Sequence, residues 1–240
     1  MKYILWALAA CCIFVGGAAV VSGSNRSSSR RSQNHPITLS QIVQRAKESG
    51  RKNVYLPATI PFYAEVDSLD EALSQTTSVV ATPIEKTTVL LDPESIVTFY
   101  RLKIADSLSR GIPSRCCDRK SLPSELPALN SDETYLQVGG GAITIDGVTV
   151  HREEEFGGLQ LSQQYLFFLS QDASQTVSMV QLGKDGIFKI TEDGGLENVA
   201  SSKGGDKEQS LRRVKSALEQ DLERLHGNSL TQLKANIKKK

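Results

Sequence analysis

Ile143-Thr144-Ile145-Asp146-Gly147-Val148-Thr149-Val150 is the stretch that decides the fold class of this 240-residue chain. Asp-Gly between two alternating runs predicts a type I′ hairpin, because that turn needs φ > 0 at both central residues. A two-residue loop then fixes the register: Ile145 faces Val148, Thr144 faces Thr149, and Ile143 faces Val150. The β-branched apolar side chains share one face and the threonines the other. Outward from the hairpin, sheet is expected across all of Tyr135–Ile190. Tyr165–Leu169 is an apolar run too short for a helix, which suits a strand covered on both faces. Thr176–Leu182 and Gly186–Ile190 read as strands around a tight turn at Gly183-Lys184-Asp185.

Upstream, Ser78–Glu85 is expected to open the body, with Pro83 at an edge or a bulge. Ser95–Ala105 is the clearest long strand: Ile96, Thr98, Tyr100, Leu102 and Ile104 alternate with Val97, Phe99, Arg101 and Lys103. One face turns cationic towards its end, so that end should be half exposed. Gly139-Gly140-Gly141 invites a phosphate-loop reading, but a strand follows instead of a helix. A bulge or a close backbone approach at a barrel corner fits better. Residues 110–133 carry Pro113, Pro123 and Pro127 without periodicity, and form the one connection long enough to hold a binding loop.

Helices flank this body. Thr38 and Gln41 have capping-box spacing, Leu39, Ile42, Val43 and Ala46 form one stripe, and Gly50 ends the helix. Asn53–Leu56 and Thr59–Tyr63 look extended. Ser68 with Glu71 opens a short helix through Leu73. Near the carboxyl end, Lys207–Leu225 carries a stripe of Leu211, Val214, Leu218, Leu222 and Leu225, and Gly227 stops it. Ser229 caps a last helix with Leu230, Leu233 and Ile237. The apolar stripe predicts docking on the chain's own body, with Lys234–Lys240 left free.

The formal charge of +1 hides a split. Residues 53–202 hold 10 basic and 21 acidic side chains; residues 24–52 hold 7 and 1, and residues 203–240 hold 10 and 5. Two basic arms thus flank an acidic body. They either neutralise it or touch an anionic surface.

Tyr3–Val21 has no charged residue and is long enough for a signal peptide or one membrane-spanning helix. Leu8-Ala9-Ala10-Cys11 also resembles a bacterial lipoprotein signal, which would lipidate Cys11. Each reading places the body outside the cytoplasm. Adjacent Cys116 and Cys117 make no disulfide framework, and their redox state stays open. His35, His151 and His226 stand in no nucleophile or zinc motif. Glu153-Glu154-Glu155 could offer carboxylates to a cation, although strand neighbours point to opposite faces. No catalytic, cofactor-binding or metal-binding residue is singled out, and no cofactor is implied. The basic arms hold no aromatic residues, so nucleic acid is not expected as a partner.

The expected fold class is therefore mainly β with flanking helices (α+β), built on a small barrel. The expected organisation is a signal peptide or anchor over 1–23, a Ser/Arg-rich tether over 24–36 and a helical and extended segment over 37–75. A β-barrel over 76–199 follows, then a linker over 200–206 and basic helices over 207–240. Three segments carry a resemblance: Ser78-Val79-Val80-Ala81, Ile96–Ser107 with Leu108-Ser109-Arg110-Gly111, and Gln164–Leu169. In that order they resemble uncharacterised secreted or envelope bacterial proteins, and beyond them the netrin-like OB barrels of tissue metalloproteinase inhibitors. The resemblance implies a fold and an extracytoplasmic setting. Those inhibitors use an amino-terminal cysteine and a cysteine framework that this chain lacks, so no inhibitory residue carries over.

The function expected is a non-enzymatic, membrane-associated or secreted binding and assembly module. Its partner would be an envelope protein or an anionic cell-surface polymer, with residues 3–21 engaging the membrane. The rival is an extracytoplasmic hydrolase or a protease-inhibitor-like protein acting through residues 110–133.

Overall fold

The hairpin forms as its sequence dictates. Strand β5 (Gly141–Ile145) pairs with β6 (Val148–Arg152) in the expected register, and Asp146 and Gly147 stand at φ 50° and 80°. The computed structural model describes residues 37–57, 65–108, 122–170, 180, 182–199 and 215–237. Among them the protein is mainly β with helices, in two open sheets.

The smaller sheet has the order β1-β6-β5, where β1 is Asn53–Leu56 and lies parallel to β6. Its apolar face holds Val54, Leu56, Ile143, Ile145, Val148 and Val150. Helix α1 (Leu39–Glu48) covers it with Leu39, Val43 and Ala46. Both capping-box bonds at Thr38 and Gln41 are present, and the Glu94 carboxylate accepts the Leu39 N–H at 2.7 Å.

The larger sheet is antiparallel throughout, in the order β4-β3-β2-β7-β8-β9. Its strands are β2 (Thr76–Asp92), β3 (Ser95–Ser107), β4 (Glu133–Gly139), β7 (Tyr165–Ser170), β8 (Ile187–Ile190) and β9 (Leu196–Asn198). β2 runs to Asp92, well past the expected Glu85. Its register shifts at Pro83/Glu85, so the proline sits at a bulge just beyond Ala81, where pairing with β7 ends. Ser78–Ala81 in β2, Ile96–Ser107 in β3 and Tyr165–Leu169 in β7 are neighbours here, since β2 lies between β3 and β7.

The closed barrel does not appear among the described residues. The six strands end on β4 and β9, and the smaller sheet packs over the far half of the β2–β3 ribbon without joining its ladder. The glycine run makes that packing feasible, as a close approach rather than a phosphate loop. Gly140 (φ 92°) and Gly141 (φ 125°) carry the chain from β4 to β5. A side chain on Gly141 would strike the Thr98 hydroxyl and lie 2.7 Å from the Thr88 methyl.

β7 alternates between two cores. Leu166 and Phe168 point to one with Val80, Phe188 and the helices, and Tyr165, Phe167 and Leu169 to another with Val79, Leu102 and Leu136. Helix α2 (Leu69–Gln75) and the carboxyl-terminal helices α3 (Ala217–His226) and α4 (Leu230–Ile237) cover the first core. Residues 37–75 and the carboxyl-terminal helices thus belong to the same compact unit as the sheets.

The docked stripe on α3 differs from the expected one. Leu218, Leu222 and His226 are buried, and Leu225 is 48% exposed. Lys234 is not free, because its ammonium pairs with Asp106 at 2.8 Å. The sheet also breaks between β6 and β7, where residues 153–164 form a loop rather than strand. Among the described residues no helix is long and apolar enough to cross a membrane; Tyr3–Val21 lies outside them. Thr59–Tyr63, most of Thr176–Leu182 and residues 207–214 also lie outside them.

Candidate functional site

Charged groups on β2, β3 and β4 of the large sheet are consumed by one another. Arg101 on β3 donates to both oxygens of Glu133 on β4, at 2.9 and 3.0 Å, and to Glu85 on β2 at 3.2 Å. Burial alone would raise the Glu133 carboxyl. The Asn130 N–H, the Arg101 guanidinium and the Asn130 amide outweigh it and hold the group below the usual range. On the opposite face Tyr100 donates to Glu154 at 2.5 Å, the Lys86 ammonium pairs with Glu154, and Lys86 sits 5.5 Å from the Tyr100 ring centre. Burial first, and then the Glu154 carboxylate, push the Tyr100 phenol far above its ordinary value. It stays protonated and serves as a donor, not as a base. Burial likewise raises the Tyr165 phenol.

This second cluster anchors the loop after β6, which includes Phe156 at φ 61° and Ser162 at φ 64°. The Leu159 N–H bonds the Tyr100 hydroxyl at 3.1 Å, and the Gln160 N–H bonds the Tyr165 hydroxyl at 3.0 Å. The three glutamates of residues 153–155 do not converge. Glu154 joins Lys86 and Tyr100, and Glu155 lies against the Cα of Gly139, whose missing side chain leaves it room. Among the described residues no group of three His, Cys, Asp or Glu side chains could hold a metal.

The proline-rich connection splits. Residues 109–121, with Cys116 and Cys117, lie outside the described residues. Its later part is a cover: Leu122, Leu126 and Leu129 pack with Val89, Val97, Phe99 and Tyr135, and the Tyr135 hydroxyl donates to the Pro127 carbonyl at 2.8 Å. His35 is also outside the described residues. His226 is buried at the end of α3, where the Asn236 amide donates to its Nδ1 at 3.1 Å.

His151 has a different setting. The pairing of β1, β6 and β5 aligns two rows on the outer face of the small sheet, Asn53–Thr149–Thr144 and Tyr55–His151–Ala142. Tyr55 is 77% exposed, yet its ring is stacked on His151 at 4.7 Å and 13°. His151 Nε2 in turn bonds Asn53 Oδ1 at 3.2 Å, and the Thr144 and Thr149 hydroxyls bond at 3.1 Å. The result is a hydroxyl-bearing face, with no Asp, Glu, Lys or Arg in its two rows, that carries one raised and oriented aromatic ring. Tyr55 was findable from sequence: in Asn53-Val54-Tyr55-Leu56 it stands opposite the two apolar side chains. Its partner was not, because nothing in the sequence says that β1 lies along β6.

No known protein family, curated protein or solved structure matches the chain. The geometry of the described residues therefore defines the class: a mainly β protein of two open sheets with helices, the smaller sheet turning Tyr55 to solvent.

Proposed function

We propose that this is a non-enzymatic binding and assembly module that works outside the cytoplasm and is held at a membrane by Tyr3–Val21. It engages an envelope protein through the outer face of the small sheet. One observation supports this most: the Tyr55 ring is exposed to water but held in place by His151. A large, pre-oriented aromatic side chain loses little conformational entropy on contact, which is why tyrosine is enriched at interface hot spots. The two rows of this face hold no lysine or arginine, which favours a protein over an anionic polymer. The packing of the small sheet over the β2–β3 ribbon of the large one supports reading the fold as an open relative of the small OB-like, netrin-like barrels.

The test is photocrosslinking in the native envelope, with a photoreactive amino acid at position 55 and, as a control, at exposed Leu161 on the loop after β6. A discrete adduct from position 55 alone, in the membrane fraction, is the expected result. Identical adducts from both positions, or none, would overturn the surface. Intact chain in the cytosol would overturn the address.

A further inference from the structure

The second face of β1 carries an inference that does not depend on the partner reading above. Between α1 and β1 lies a cleft of about 350 Å³. Ile37, Ile42, Ala46 and Val54 give it apolar walls, and Arg45 and Arg51 stand at it. Among the described residues the two guanidiniums make no hydrogen bond or ion pair, whereas Lys47 on the same helix pairs with Asp146 at 3.6 Å. Ser49 closes the helix by donating to the carbonyls of Arg45 and Ala46, so its hydroxyl is already engaged. An apolar cleft beside two free planar cations is complementary to a molecule with an apolar body and an anionic head. Guanidinium suits a carboxylate because its donors match the two oxygens.

We infer that the α1–β1 cleft binds a single-chain acyl carboxylate, a fatty-acid-like anion, with the acyl chain against Ile42 and Val54 and the carboxylate on Arg45 and Arg51. The volume lies at the lower end of small-molecule sites, roughly 300–1,000 Å³, which suits one acyl chain rather than two. The chain's own tether is a poor occupant. Ser22–Gln33 has no apolar side chain to fill the cleft, and Arg26, Arg30 and Arg31 would meet like charge.

The probe is a dodecanoate carrying a photoactivatable diazirine in its chain, irradiated with the full-length protein and mapped by mass spectrometry. Label is expected within residues 37–57, displaced by plain dodecanoate but not by butyrate. Arg45→Gln with Arg51→Gln should lower the labelling by about tenfold or more, the effect of losing a charge-assisted contact. Both residues are exposed, so the double variant should melt with the wild type and a folding defect would be visible separately. A dodecyl trimethylammonium analogue with the same diazirine should not label the cleft. Label scattered along the chain, equal labelling by the cationic analogue, or labelling unchanged in the double variant would overturn the site. Absence of label would also overturn it, whether the cleft is filled by leading residues or stays empty.

Discussion

β7 and β1 are both short strands, and their surroundings are opposites. β7 lies inside the large sheet with Tyr165–Leu169 wholly buried, its side chains alternating between two cores. β1 lies at the edge of the small sheet, with Val54 and Leu56 turned towards α1 and Asn53 and Tyr55 towards water. The large sheet uses its polar groups internally: Glu85, Arg101 and Glu133 bind one another, as do Lys86, Tyr100 and Glu154. On the small sheet the polar groups arrange a surface. Stability should therefore be concentrated around β7, and recognition around β1.

The largest effect should come from emptying the core. Phe168 is fully buried and edge-on to Phe188, 6.2 Å between ring centres, under α2 and α3. Phe168→Ala should destabilise by about 3–5 kcal/mol, the range for phenylalanine deletions in cores. A urea titration checks it. A loss under about 1 kcal/mol would mean that stability is not concentrated there.

Next is the hairpin that joins β5 to β6. Asp146-Gly147→Ala-Ala forces φ > 0 on two residues with a Cβ, where Asp146 and Gly147 now stand at 50° and 80°. The expected loss is about 1–3 kcal/mol. An unchanged urea midpoint would show that the turn does not hold the small sheet together.

That turn also marks what the sequence could reveal. The hairpin register, the capping box at Thr38 and the two-sided burial of Tyr165–Leu169 rest on local rules, namely turn dihedrals, cap spacing and run length. The second half of β2 was hidden because Glu85 and Lys86 interrupt its apolar pattern, and their partners Arg101 and Glu154 lie far along the chain. The end of the stripe on α3 is not legible in the sequence for a similar reason. Buried His226 finds its hydrogen-bond partner in Asn236 from the next helix, and local spacing favours the leucine at 225 for that face. Closure into a barrel is a global property that strand patterns do not encode. The Tyr55–His151 stack likewise requires the parallel pairing of β1 with β6.

A smaller effect, with a pH signature, concerns the ion network. Glu133 has a folded pKa below its unfolded value, so its stabilisation is present above about pH 4.3 and fades as pH falls through the folded value. Glu133→Gln keeps the shape and removes the charge. Because Arg101 is partly exposed and keeps Glu85, the loss at pH 7 should be about 1–2 kcal/mol. The variant should also lose less stability than wild type between pH 5 and roughly pH 3. Parallel pH profiles for the two proteins would show that Glu133 is not an acid-sensitive link.

The smallest stability effect should fall on the residue with the largest expected effect on binding. Tyr55 gives up little surface to the fold, and its chief contact is the His151 ring. Tyr55→Ala should therefore change the urea midpoint by no more than about 0.5 kcal/mol, as surface substitutions usually do. An interface hot spot, by contrast, costs at least about 2 kcal/mol in binding when truncated, some thirtyfold in affinity. His151→Ala separates two ways in which Tyr55 could act. If the ring must be held in place, removing its support should weaken partner recovery while Tyr55 itself is intact. If only its bulk matters, His151→Ala should be nearly silent. Partner recovery from the native envelope with wild type, Tyr55→Ala and His151→Ala, each matched for folded protein, reads the difference. Equal recovery from all three would remove the outer face of the small sheet as the recognition surface.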